Sequence, residues 1–146
     1  MLQIAVPRGN PGGVTGLADF ADPDLTIALC AAEVPCGAAA ERVFAAAGIV
    51  PAPDTLERDV RAALSKVQLG EVDAALVYRT DVLSGGASVE GLDLDADPDV
   101  SAAAVTDYPV AVLRQASDAD VARAFVDHVV DGAGQAVLRD AGFQAP

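Results

Sequence analysis

The chain has 146 residues, with 9 basic against 22 acidic side chains and a formal charge of −13; 52% of it is hydrophobic and 4% aromatic. A charge this negative cannot neutralise phosphates, so no nucleic-acid partner is expected, and it argues against docking on an anionic membrane surface. The apolar fraction is too high for a disordered acidic tail, and the length suits one domain able to bury about 68–70% of its unfolded surface.

The elements alternate between short apolar runs and helical segments, an α/β pattern. Leu2 to Pro7 (LQIAVP) reads as a strand, followed by a turn-rich loop from Gly9 to Gly16 and a helical turn through Leu17–Phe20. Thr26 to Cys30 (TIALC) is a continuous apolar run, as expected of a strand buried on both faces. Pro35 marks a helix start and Gly48 its end, with an Ala-rich stretch between. A Pro-punctuated loop, Val50 to Asp54, leads to a helix whose stripe is Val60, Ala63, Leu64 and Val67, ended by Gly70. Ala74 to Tyr78 (AALVY) is another buried strand, and Ser84 to Asp99 a Gly- and Asp-rich excursion. Val100–Val105 and Tyr108–Leu113 read as strands. Ser117 to Asp120 resembles a capping box before a helix carrying Val121, Phe125 and Val129 inward, and a last helix runs from about Ala133 to Ala141.

No apolar run reaches the roughly 18–20 residues that span a bilayer. Met1-Leu2-Gln3-Ile4 has no basic or apolar leader, so no signal peptide is expected in this chain, which suits either a cytoplasmic protein or a mature or truncated one.

Most candidate chemistry has a plainer reading. The Gly9–Gly16 loop suggests a phosphate cradle, but Val14 stands where a P-loop needs Lys, and an ordinary connection is preferred. Asp93, Asp95, Asp97 and Asp99 suggest calcium, but an EF-hand loop would require Gly and Glu where Pro98 and Ala104 stand, which favours a solvated acidic loop. Cys30 and Cys36 lack zinc spacing. His128, the single histidine, falls on a polar helix face with no nucleophile spaced to meet it, so no catalytic residues, cofactor or metal are expected and an enzyme is disfavoured.

The segment Cys30–Gly37 is different. A strand ends, a short loop follows and a helix starts, which reads equally as a plain β–α turn or as an anion site built from the helix's unpaired N–H groups. The helix opening at Asp59-Val60-Arg61 repeats the geometry, and the Ala74–Val77 strand delivers Tyr78 to its carboxyl end, where open α/β sheets bind ligands. For Tyr78 the plainer reading is an aromatic packing on the sheet edge.

The segments LQIAVPRGNPGGVTGLADF, IALCAAEVPCG, ERDVRAALSKVQLGEVDAALVYRTDV, YPVAVL and ARAFVDHVVDGAGQAVLRDAGF cover nearly the whole chain in order. Together they resemble the molybdate- and tungstate-binding solute-binding proteins of ABC transporters, of the type II periplasmic-binding-protein fold. The resemblance implies an α/β lobe with a mixed sheet flanked by helices. It also implies an oxyanion held by neutral donors: the backbone N–H groups of Cys36 and Val60 and the Tyr78 hydroxyl. It divides the chain into a hinge strand (1–8), a ligand-binding second lobe (9–107), and a return hinge strand with C-terminal helices (108–146). Most of a first lobe, with two serine-bearing ligand segments, would then be missing. Loss of about four hydrogen bonds at ~1.5–3 kcal/mol each implies weak binding or none by this chain alone. The implied partners are molybdate or tungstate and a membrane permease, in a periplasmic or otherwise extracytoplasmic location. Self-association through the exposed cleft or hinge face is a further expectation. An exported protein permits a disulfide between Cys30 and Cys36; two small buried thiols are the other reading. The alternative function is the ligand-sensing domain of a regulator with the same fold.

Overall fold

Strand β1, Leu2–Pro7, lies inside the sheet and not at its edge. The computed structural model describes residues 1–94 and 97–145. It resolves into two units, Met1–Thr106 and Asp107–Pro146, each described by itself.

The first unit is a five-stranded mixed sheet flanked by helices. Its strands are β1, β2 (Ile27–Cys30), β3 (Thr55–Glu57), β4 (Ala74–Tyr78) and β5 (Val89–Leu92), in the order β3-β2-β4-β1-β5. β2 runs parallel to both β3 and β4, while β1 is antiparallel to β4 and β5. Successive side chains of a strand leave on opposite faces. Leu2, Ile4, Val6, Ile27, Leu29 and Leu76 therefore share one face with Ala39, Ala40, Val43 and Phe44 of helix α1 (Pro35–Ala47). Ala5, Ala28, Ala75 and Val77 share the other with Ala63, Leu64 and Val67 of α2 (Val60–Leu69). The α1 face holds the bulk, including the Phe20–Phe44 pair at 5.5 Å between ring centroids. The α2 face is lined largely by alanine, which lets that helix approach the sheet closely.

The expected boundaries of β1, β2, β4, α1 and α2 agree with the structure to within one or two residues, and Gly48 and Gly70 take the left-handed conformation that ends each helix. Other expectations need correction. The stretch before α2 contains β3, a three-residue strand made by its parallel pairing with β2. The excursion after β4 holds helix α3 (Arg79–Gly85), a 3-10 turn (Gly86–Ser88) and β5. Val100–Val105 is not a strand: α4 (Pro98–Ala103) occupies most of it. Asp97 caps α4 by accepting the Asp99 N–H at 2.8 Å, Pro98 takes the first helical position, and Val100 and Ala104, four apart, are buried in the core cluster.

The second unit contains α5 (Ala119–Val130) and α6 (Gly134–Asp140). Tyr108–Leu113 forms no ladder among the described residues, because this unit offers no second strand for it. Asp118, not Ser117, caps α5, accepting the Val121 N–H at 3.0 Å. Val121 and Phe125 are not inward: they are 65% and 63% exposed, since α6 alone is too short to cover that stripe.

Candidate functional site

Three parallel strands end at one edge of the sheet. β2 lies between β3 and β4 and points the same way as both, so Cys30, Glu57 and Tyr78 finish side by side. The chain leaves β2 through α1 to reach β3 on one side, then returns through α2 to β4 on the other. That reversal opens a crevice at the carboxyl ends, the usual ligand position in open α/β sheets. Strands spaced about 4.8 Å apart put the outer two ends about 10 Å from one another, the scale of a small hydrated anion.

Val34 is the extended N-cap residue of α1 and supplies no side-chain bond. The first intrahelical bond is from the Ala38 N–H to the Val34 carbonyl at 3.0 Å. Pro35 has no N–H, so Cys36 and Gly37 carry the donors that the helix itself leaves unpaired. Gly37 is required by space: a Cβ there would lie 1.9 Å from the Ala31 carbonyl oxygen and 2.8 Å from that of Cys30. The Ala31 N–H in turn donates to the Glu57 carbonyl at 2.8 Å, tying the end of β2 to β3. A disulfide joins Cys30 to Cys36, with Cα atoms 5.7 Å apart.

Asp59 caps α2 by accepting the Ala62 N–H at 2.9 Å. The first-turn donors ahead of it belong to Val60 and Arg61. Tyr78 is half-buried at the end of β4, packed against the core that contains Leu2 and Ile4. Its N–H donates to Asp81 Oδ2 at 3.0 Å. Burial pushes the Asp81 carboxyl above its ordinary range, against the opposing pull of the Tyr78 N–H and the Arg61 charge. Cys36, Val60 and Tyr78, the three residues singled out in the sequence, thus follow three adjacent strand ends on one edge. Gly37 was not among the candidates, although its place in the VPCG turn was a signal for it.

The other candidates have structural roles. In the Gly9–Gly16 loop, Asn10 bonds both the N–H and the carbonyl of Val14, Glu90 accepts the Gly9 N–H, and Asp19 accepts from Thr15 and Gly16. Those carboxylates occupy the donors a phosphate would need. The Thr15 backbone bond is the main reason the Asp19 carboxyl is held below its ordinary range. In the acidic series Asp93 accepts from the Gln3 amide and Asp97 caps α4, while Asp95 lies outside the described residues. Among the described residues no cluster of three or more His, Cys, Asp or Glu could hold a metal ion, and His128 is exposed in the last turn of α5. An apolar groove of about 440 Å³ opens beside α1, bordered by Leu29, Phe44, Ile49, Val50, Pro53 and Leu56. Its hydrocarbon walls suit no oxyanion.

Residues 1–144 match the family model described as bacterial extracellular solute-binding protein. The chain is 37% identical over 145 residues to the molybdate-binding protein ModA of Mycobacterium tuberculosis, covering 99% of this chain and 54% of ModA. It is 29% identical over 148 residues to YvgL of Bacillus subtilis, described as an ABC transporter substrate-binding lipoprotein, covering 55% of that protein. The chain thus spans about half the length of the curated relatives it matches. Its fold superposes with a TM-score of 0.74 on a substrate-binding domain from Clostridium difficile assigned to a molybdenum ABC transporter, at 21% identity, over 99% of this chain and 63% of that one.

Proposed function

The chain belongs to the bacterial extracellular solute-binding protein family, and from that premise we propose that it supplies one lobe of the substrate-binding component of a molybdate or tungstate ABC importer. The observation that carries the reading is the shared edge: the N-termini of α1 and α2 and the residue ending β4 meet at the carboxyl ends of three parallel strands. Its likeness to ModA adds the ligand class.

The chemistry is that of aimed dipoles. The N–H groups of Cys36 and Val60, each in the first turn of a helix, and the Tyr78 hydroxyl donate to the oxygens of a tetrahedral dianion. Each helix start adds a partial charge of about +0.5. The protein's own charge of −13 does not forbid this, because distributed charge is screened over about 8–10 Å while the donors act at contact range. Donors without an acceptor cost about 1–3 kcal/mol each, so the site rejects anions of the wrong size or protonation state. Binding is the whole role, with delivery to a membrane permease on the extracytoplasmic side.

Titration of sodium molybdate and sodium tungstate into the ¹⁵N-labelled chain, followed by NMR, tests the reading. A few charge-assisted hydrogen bonds from one lobe, with the remaining oxygens in water, correspond to roughly millimolar affinity, about 4 kcal/mol. Saturating shifts should appear at the amides of Cys36, Gly37, Val60 and Tyr78. Saturation elsewhere, or unmoved spectra at tens of millimolar anion, would overturn it.

A further inference from the structure

We propose that the Cys30–Cys36 disulfide positions the oxyanion donors of α1 and places them under redox control: oxidised, it fixes the helix start with its N–H groups open; reduced, it leaves a Cys36 thiolate that opposes the anion. The inference rests on the oxyanion reading of this edge and goes beyond it.

The way the helices start carries the argument. α2, α4 and α5 are each capped by an aspartate whose carboxylate takes first-turn N–H groups (Asp59, Asp97 and Asp118), whereas the seven-residue helices α3 and α6 start without a side-chain cap bond. α1 is the longest helix described, yet Val34 caps it without a side-chain bond. An aspartate there would consume the donors that an anion needs and would set a negative charge against it. The disulfide does a cap's work without either effect. It ties the second residue of α1 to the last residue of β2 and closes the turn 31–35 between them. Beneath it, Gly37 lies against the Cys30 and Ala31 carbonyls, so the crosslink holds the helix where the backbones are already in contact. Both cysteines are buried, at 4% exposure each, and Cys30 borders the apolar groove beside α1, which gives a small reductant an approach.

Reduction by a phosphine balances simply. The phosphorus gives two electrons to the S–S bond, which breaks. Water supplies the oxygen of the phosphine oxide and the two protons of the resulting thiols. Cys36 then sits in the first turn of α1, where the helix dipole favours loss of the thiol proton against the opposing effect of its burial. The site gains a full negative charge beside its own donors, and the start of α1 loses its tether.

The test compares three forms of the chain by ¹⁵N NMR: oxidised, phosphine-reduced, and Cys30→Ser/Cys36→Ser, which lacks both tether and thiolate. Molybdate is the probe. Reduction should weaken binding at least tenfold at pH 8, with the serine variant between the two. The alkylation rate of Cys36 against pH should show a thiol titrating below the usual value of about 8.5, and amide exchange at residues 36–38 should quicken on reduction. Equal molybdate affinities, or an ordinary Cys36 thiol with unchanged exchange, would overturn the proposal. So would loss of the whole folded spectrum on reduction, which would make the disulfide a global staple. If molybdate moves no amide in any form, the oxyanion reading fails, while alkylation and exchange still decide what the disulfide does to α1.

Discussion

Asp81 shows how a carboxylate beside the candidate site responds to burial. Its folded pKa lies above the ordinary 3.8, chiefly because the charged form is desolvated. A raised native pKa means that the folded chain holds this proton more tightly than the unfolded one. The contribution favours folding below pH 3.8 and is lost as pH rises through the native value, so at neutral pH the ionised group is a net cost. Asp81→Asn keeps an acceptor for the Tyr78 N–H and removes the charge. Because the group is half exposed and solvent-screened, the gain at neutral pH should be no more than about 1 kcal/mol. It should vanish below pH 3.8, as read by urea denaturation at both pH values. A variant less stable than the parent at neutral pH would contradict this account. Asp19 has the opposite sign: its lowered pKa contributes stability above 3.8 that disappears as the carboxylate is protonated.

At the scale of elements, the contact between α1 and β2 is the tightest constraint on the site. Gly37→Ala would push a methyl group into the Ala31 carbonyl, a backbone atom with no rotamer to escape to. Helix and strand must separate, at a cost typical of overpacking, about 1–3 kcal/mol. A urea midpoint showing less than about 0.5 kcal/mol of destabilisation would refute the contact. The limits of α1 were legible beforehand, because Pro35 and Gly48 are local punctuation. So were β1, β2 and β4, each a run of apolar residues. β3 was not: three residues after Pro51 and Pro53 become a strand only through β2. α4 was not read either: Val100–Val105 reads as a strand, although Asp97-Pro98 is a helix-start signal. For the site, the helix starts at Cys36 and Val60 and the strand end at Tyr78 were each visible locally. Their adjacency was not, since it depends on the order β3-β2-β4, which no local pattern encodes.

For the whole molecule, every buried apolar residue described falls between Leu2 and Ala104. The unit Asp107–Pro146 has no buried side chain among its described residues, and Phe125 and Val121 of α5 stand open to solvent. Chains of about 40 residues rarely hold a core unaided. Residues 1–106 alone should therefore keep a single cooperative urea transition near the midpoint of the full chain, whereas residues 107–146 alone should give a weak helical circular dichroism signal that fades without a transition. Loss of cooperativity in 1–106 would sink the division.

The interior position of β1 also governs the order of assembly. β1 is made before both of its neighbours in the sheet, which lie at residues 74–78 and 89–92. Between β1 and residue 74 no described strand pairs with it, so a sticky apolar segment waits unpaired until β4 emerges. The parallel trio β3-β2-β4 can close as soon as Tyr78 emerges, and only the pairing with β5 completes the sheet. Long sequence separation between partners slows folding and prolongs exposure of unpaired edges. β1 is thus the last interior strand to be enclosed on both sides, and the edge bearing the anion donors can be laid down before it.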